Sequence, residues 1–229
     1  MKTLYIDCFA GFTTEMLLGA LIDMGASADY ICAELKESGL NVTIDRTAAV
    51  RGGMNCTLAR LGCADDDDAV CGKIGRRLEP ISTLYPEASA AQLCAWAAVM
   101  IAAESFGVSS VACSLLSDGH GIDSESGAVV PSPFVMKILQ KCGAPIRTVE
   151  AERELISDEG MAYLAASAGS FRLMPCGTVL CTGYGAGSFD IGALPYLVRT
   201  VLTDADEGED FLTEFHLDMP IAGSIGGLA

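Results

Sequence analysis

Apolar and polar positions along this chain alternate between a strand period and a helix period, and the changes of period mark out the expected elements. Leu4, Tyr5 and Ile6 form a short apolar run, predicting a strand over 3–7. Thr13 or Thr14 then stands as N-cap to a helix carrying Met16, Leu17, Leu18, Ala20, Leu21 and Ile22, closed by Gly25. Ser27 caps a second predicted helix over 28–38, with Tyr30, Ile31 and Leu35 at helical spacing and Gly39 as its stop. Val42, Ile44 and Val50, followed by Thr57, Leu58 and Leu61, predict a hairpin turning at Arg51-Gly52-Gly53. The aspartate run 65–68 interrupts that pattern and reads as a solvated loop, with a cation site as the other reading.

Residues 88–106 carry the strongest apolar helical pattern and belong in the core. A strand over 110–116 follows, then the turn Gly119-His120-Gly121, and Pro131 and Pro133 delay the next helix to 134–140. A strand is expected over 147–152 and a helix over 158–168 capped by Ser157, before strands over 178–182 and 196–203 that flank a Gly-rich loop, Gly183-Tyr184-Gly185-Ala186-Gly187. The alternation predicts an α/β fold: a mixed sheet with helices packed on it and an antiparallel pair near the C-terminal end. Residues 1–203 form the expected domain, in one lobe or two. Residues 204–229 open with Asp204, Asp206, Glu207, Glu209 and Asp210, and read as an acidic linker and the truncated start of a C-terminal domain from Phe211.

A length of 229 residues suffices for a sizeable core without disulfides or a structural metal. The formal net charge of −16 repels phosphate backbones and anionic lipid surfaces, which argues against nucleic-acid and membrane partners. The uncharged run 93–103 falls short of the roughly 20 residues of a membrane span. Asp7 arrives before any signal-peptide core forms, so the expected location is cytoplasmic. The ten cysteines are scattered without a C-x-x-C pair and read as reduced, mostly buried thiols.

The stretch from Asp7 to Leu21, DCFAGFTTEMLLGAL, resembles the DCFSGISGDMLLGAL opening of the LarC family. Val129-Val130-Pro131-Ser132-Pro133 is similar to that family's LPVPAP, Glu154-Leu155-Ile156-Ser157-Asp158-Glu159-Gly160 to its ELVTPTG, and Gly183-Tyr184-Gly185-Ala186-Gly187 with Asp190 to its GYGAGxxD, all in the family's order. Thr213-Glu214-Phe215-His216-Leu217-Asp218-Met219 faintly resembles the ETNIDDM that opens the family's C-terminal half. Three departures stand beside these matches. A His-rich stretch of the family is replaced by Asp65 to Asp68; HFHEVGAxD is replaced by Leu84-Tyr85-Pro86-Glu87-Ala88-Ser89-Ala90-Ala91-Gln92; and a Cys and His ahead of the Pro-rich segment are absent from Asp123-Ser124-Glu125-Ser126.

The resemblance implies a nickel chelatase, of the lyase class, that loads nickel into pyridinium-3,5-bisthiocarboxylic acid mononucleotide, as a divergent or incomplete member. The partner it implies is that small-molecule mononucleotide. A nucleotide requirement would rest with the family's C-terminal half, supplied by a separate subunit or within a homo-oligomer. Asp7 and Cys8 sit where a strand hands over to a helix, a usual ligand position, and Cys8 is either a metal-binding thiolate or a small buried residue. His120 is the other metal candidate, and Asp7 and Glu87 are the candidate catalytic carboxylates, Glu87 equally serving as a helix-opening acid. Ser157, Gly185 and Gly187, with Asp190, are the candidate cofactor-binding residues, through backbone N–H groups facing the phosphate, against ordinary capping and turning. Two other classes remain: a non-catalytic small-molecule-binding or subunit-interaction module that has lost metal chemistry, and an enzyme using Cys8 as nucleophile with His120 as base.

Overall fold

Helix starts leave N–H groups unpaired, and in this chain each helix begins after a short polar side chain that accepts from one of them. Thr13 Oγ1 accepts from Met16 N at 3.1 Å to open α1 (Thr14–Asp23), and Ser27 does the same for α2 (Ala28–Glu37). Asp66 Oδ1 accepts from Ala69 N at 2.8 Å to open α3 (Asp67–Leu84), and Ser89 with Gln92 forms a reciprocal capping box for α4 (Ala90–Ser105). Ser132 caps α5 (Pro133–Cys142) and Ser157 caps α6 (Asp158–Ser167). The structure is a computed structural model that describes residues 1–204 apart from 124 and 193, with the side chains at 75–77 also left aside. The element expected at Phe211, the segment 213–219 and the linker beyond Asp204 lie outside the described residues.

In chain order the strands are β1 (Lys2–Asp7), β2 (Val42–Arg51), β3 (Met54–Cys63), β4 (Ser110–Cys113), β5 (Leu116–Asp118), β6 (Gly121–Ile122), β7 (Val129–Val130), β8 (Ile146–Thr148), β9 (Ser170–Phe171), β10 (Thr178–Ala186) and β11 (Leu197–Asp204). Seven of them form one mixed sheet in the order β2-β3-β10-β11-β1-β4-β9, while β5 pairs with β8 and β6 with β7. β10 and β11 run antiparallel, as do β1 and β11, whereas β1 and β4 are parallel. The fold is the expected α/β class with its antiparallel pair near the C-terminal end.

Alternation along β1 divides its residues between two faces. Leu4 and Ile6 enter the main core with Met16, Leu17, Leu21 and Trp96, and Tyr5 joins Ala112 and Val201 on the opposite side. Burying a large apolar side chain contributes about 1.5–3 kcal/mol, and Leu4, Ile6, Met16, Leu17 and Trp96 are all essentially without exposure.

Three sequence expectations are corrected. The glycine-rich segment expected as a loop is strand: β10 continues through Ala186. A Cβ on Gly185 would lie 1.7 Å from Met16 O and one on Gly183 2.0 Å from Ala20 O, so these glycines let the backbone of α1 rest directly on the strand. Gly19 does the same from the helix side, where a Cβ would lie 2.4 Å from Thr57 O on β3. The aspartate run is solvated at Asp66, Asp67 and Asp68 but is not a loop throughout, because Asp66 caps α3, a helix absent from the expected elements. Gly72, Gly75 and Pro80 weaken its helical propensity, yet Val70, Ile74, Leu78 and Ile81 share one buried face against the rest of the core. Finally, the strand expected over 110–116 divides into β4 and β5, and that expected over 147–152 shortens to β8.

Candidate functional site

The first turns of three helices converge on a pocket of about 180 Å³. α1 and its cap contribute Thr13, Thr14 and Glu15; α4 contributes Ala91, Gln92 and Ala95; α6 contributes Glu159. Leu58 and Leu61 of β3 close one wall, and Ala186 and Ser188, at the end of β10 and just beyond it, close another. Helix starts present partial positive charge and free N–H groups, while Glu15 and Glu159 bring carboxyl groups into the same space. Glu159 accepts from Ser157 Oγ at 2.6 Å, and burial raises its proton affinity above that of an ordinary glutamate. Thr14 Oγ1 is buried without a hydrogen-bond partner, an orphaned polar atom on a residue of this wall. The arrangement suits a ligand carrying separated negative and positive charge.

The residues singled out from sequence are distributed around this pocket and not gathered in it. Asp7, at the end of β1, is paired with Arg199 of β11. Cys8 is fully buried, its N–H donating to Ser114 Oγ at 2.8 Å and its sulfur 3.6 Å from that of Cys113. Burial, followed by the contact with Cys113, pushes the Cys8 thiol well above its ordinary range. His120 Nε2 lies 3.8 Å from Glu150 Oε2 at the surface, so it faces a carboxylate and not Cys8. Glu87 is exposed between α3 and α4.

Ser157 uses its hydroxyl on Glu159 and on Gly160 N, which places it one step behind the pocket wall. Gly185 faces α1, and Gly187 lies beneath the Tyr196 ring, where a Cβ would come within 2.0 Å of ring carbon. Gly187 N donates to Tyr196 O at 2.9 Å and its carbonyl accepts from Arg51 at 2.8 Å. Asp190 closes an exposed turn by accepting from Gly192 N at 3.0 Å.

Behind the pocket lies a group of acids that sequence reading did not single out. Asp118 is completely buried; its Oδ1 accepts from Gly119 N, Leu155 N and Ile156 N at 2.8, 2.7 and 3.3 Å, and Oδ2 has no partner. Burial raises Asp118 to about 6 despite those three donors. Glu154 is raised to about 7, first by burial and then by Asp158, Asp118, Glu159 and Asp123. Asp118, accepting from Leu155 N and Ile156 N, and Asp123, accepting from Glu154 N at 3.2 Å, anchor the chain between β8 and α6 and so set where Ser157 and Glu159 stand.

Glu15, Gln92 and Glu159 complete the pocket without having been selected as site residues. Two signals pointed toward them: Glu15 stands two residues after a helix cap, and Glu159 lies inside a segment already singled out for Ser157. Among the described residues no group of three or more His, Cys, Asp and Glu side chains is arranged to hold a metal ion, and no helix is long and apolar enough to cross a membrane.

A family model described as nickel insertion protein matches residues 4–92 and 88–219. The pyridinium-3,5-bisthiocarboxylic acid mononucleotide nickel insertion protein of Staphylococcus epidermidis is 27% identical over 240 residues, covering 90% of this chain and 60% of that protein. A putative nickel insertion protein of Gloeobacter violaceus is 27% identical, covering 90% and 58%, and one of Methanosarcina barkeri is 27% identical, covering 90% and 60%. The chain therefore spans about 60% of the length of these relatives. No solved structure matches it.

Proposed function

Because the chain belongs to the nickel insertion protein family, we propose that it takes part in loading nickel into pyridinium-3,5-bisthiocarboxylic acid mononucleotide, with that mononucleotide seated where α1, α4 and α6 begin. The observation that carries this reading is the pairing of helix starts with carboxylates in one pocket. A pyridinium mononucleotide bears a cationic ring and an anionic phosphate. The ring is complemented by Glu15, and the phosphate by free N–H groups at a helix start. Nickel is a substrate here, and insertion is a ligand exchange in which the thiocarboxylates take the ion from weaker donors. On this reading residues 1–203 are the domain that does this, in one lobe or two, and the relatives, of which the chain spans about 60%, contain a further part. That further part, on a separate subunit or within a homo-oligomer, would carry any nucleotide requirement.

One observation favours a second reading, a binding module without metal chemistry: the absence of a three-donor metal cluster among the described residues. Calorimetric titration separates the two. The nickel-loading reading expects the thiocarboxylated mononucleotide to bind and then to appear as its nickel complex when nickel is added. Binding without nickel transfer would establish the module instead, and no binding to the folded chain would remove the pocket assignment altogether.

A further inference from the structure

The thiols of this chain include two touching pairs, and the pairs differ in access. Cys8 and Cys113, with sulfurs 3.6 Å apart, are both without exposure and are closed to any ion from solvent. Cys63 and Cys94 have sulfurs 3.5 Å apart; Cys94 is as buried as the first pair, but Cys63, the last residue of β3, is only half-buried and gives the pair its one open side. Neither pair is bonded as a disulfide. The open pair sits on two of the elements that wall the pocket, β3 and α4, although neither cysteine is itself a lining residue. Leu61 lines the pocket two residues before Cys63, and Ala91 and Ala95 line it on either side of Cys94.

Two thiolates bound at about 2.3 Å to adjacent positions of one metal ion stand roughly 3.3 Å apart in the square-planar geometry typical of nickel(II) and roughly 3.8 Å apart in tetrahedral geometry, so the native separation lies within the range of a shared coordination sphere. We propose that Cys63 and Cys94 form a two-thiolate landing site for nickel(II) at the edge of the pocket, an inference that rests on the nickel-loading reading above. On arrival, Ni²⁺ displaces one proton from each thiol and forms two Ni–S bonds, with no change of oxidation state. Two protein ligands leave the remaining positions to water, which an incoming pair of thiocarboxylate sulfurs can replace. As the ion leaves, the two thiolates regain their protons. A site with few protein donors is what transfer requires, since a closed four-ligand site would retain its metal.

The test is titration of the reduced full chain with nickel chloride, read by thiolate-to-nickel charge-transfer absorption and by proton release into weak buffer. The expected result is one band with two protons released per nickel, lost in both Cys63→Ser and Cys94→Ser and kept in Cys71→Ser and Cys176→Ser, two exposed cysteines outside the pair. Because Cys94 is buried and its substitution endangers folding, nickel X-ray absorption of the wild type supplies an independent measure: two sulfur neighbours support the site, and none overturns it. A band that persists in Cys63→Ser also overturns it. Mononucleotide binding without nickel binding would overturn the thiol site alone. Nickel held by the pair without mononucleotide binding would keep the thiol site and overturn the pocket assignment.

Discussion

The two ends of α1 meet β10 and its surroundings in opposite ways. From Met16 to Met24 the chain presses on Gly185 and Gly183 so closely that a single added carbon would overlap its backbone, whereas Thr14 and Glu15 at the helix start open onto the pocket shared with α4 and α6. The contrast shows that a glycine-rich motif and a ligand site can be neighbours with separate tasks. The glycines set the height of α1 above the sheet, and that height fixes where Thr14 and Glu15 stand relative to Ala186 and Ser188. Conformational freedom is not their role in β10; lack of a side chain is.

Gly185→Ala is the sharpest way to break this contrast. Its Cβ would meet Met16 O at 1.7 Å and Ala20 N at 2.5 Å, both of them backbone atoms that cannot rotate away. Overpacking of this kind should cost about 3 kcal/mol or more, seen as a large fall in the denaturant midpoint or as failure to fold. A midpoint unchanged from wild type would mean that α1 does not sit on β10 as described.

A smaller effect is expected from the acids behind the pocket. The folded chain holds the Glu154 proton more tightly than the unfolded chain does, with the group raised from 4.5 to about 7. The stability associated with that proton is therefore complete below about 4.5 and is lost as pH rises through about 7. Asp118, raised from 3.8 to about 6, acts in the same direction at lower pH. Urea denaturation across this window should show Glu154→Gln losing less stability with rising pH than the wild type, by about 1–3 kcal/mol. Parallel pH profiles for the two proteins would show that Glu154 is not buried among acids.

Thr13→Ala removes the side-chain acceptor for Met16 N and should lower stability by about 1 kcal/mol, measurable as a modest shift of the thermal midpoint. Glu15→Gln, two residues further on, should leave stability within about 0.5 kcal/mol yet weaken binding of the pyridinium mononucleotide about tenfold in calorimetry. These two neighbours sharpen the comparison, one supporting the helix and the other facing the ligand. If Glu15→Gln bound the mononucleotide as tightly as wild type, the pocket would lose its cation-facing role.

Much of the scaffold was legible because local physics speaks in local sequence. Thr13, Ser27 and Ser157 are the expected caps and each is the N-cap of an observed helix, while Ser89 and Ser132, not singled out in the sequence, cap helices expected to start at 88 and 134. α3 escaped notice because two glycines, a proline and an acidic start obscured the spacing of Val70, Ile74, Leu78 and Ile81, which is regular once the buried face is known. The sites were less legible than the elements. Cys8 carries a plausible chemistry in sequence, but its environment is set by Cys113 and Ser114, more than a hundred residues away.

Sequence by itself determined the α/β class, the starts of α1, α2 and α6, the long hairpin, the acidic net charge and the family, since these follow from periodicity, capping, composition and ordered motifs. Only the tertiary structure decided that β10 runs through the glycines, that Glu15, Gln92 and Glu159 share one pocket, and that Cys63 meets Cys94. Each of these joins segments far apart in the chain, and such proximity is settled by which faces the core brings together, a property no local pattern of residues records.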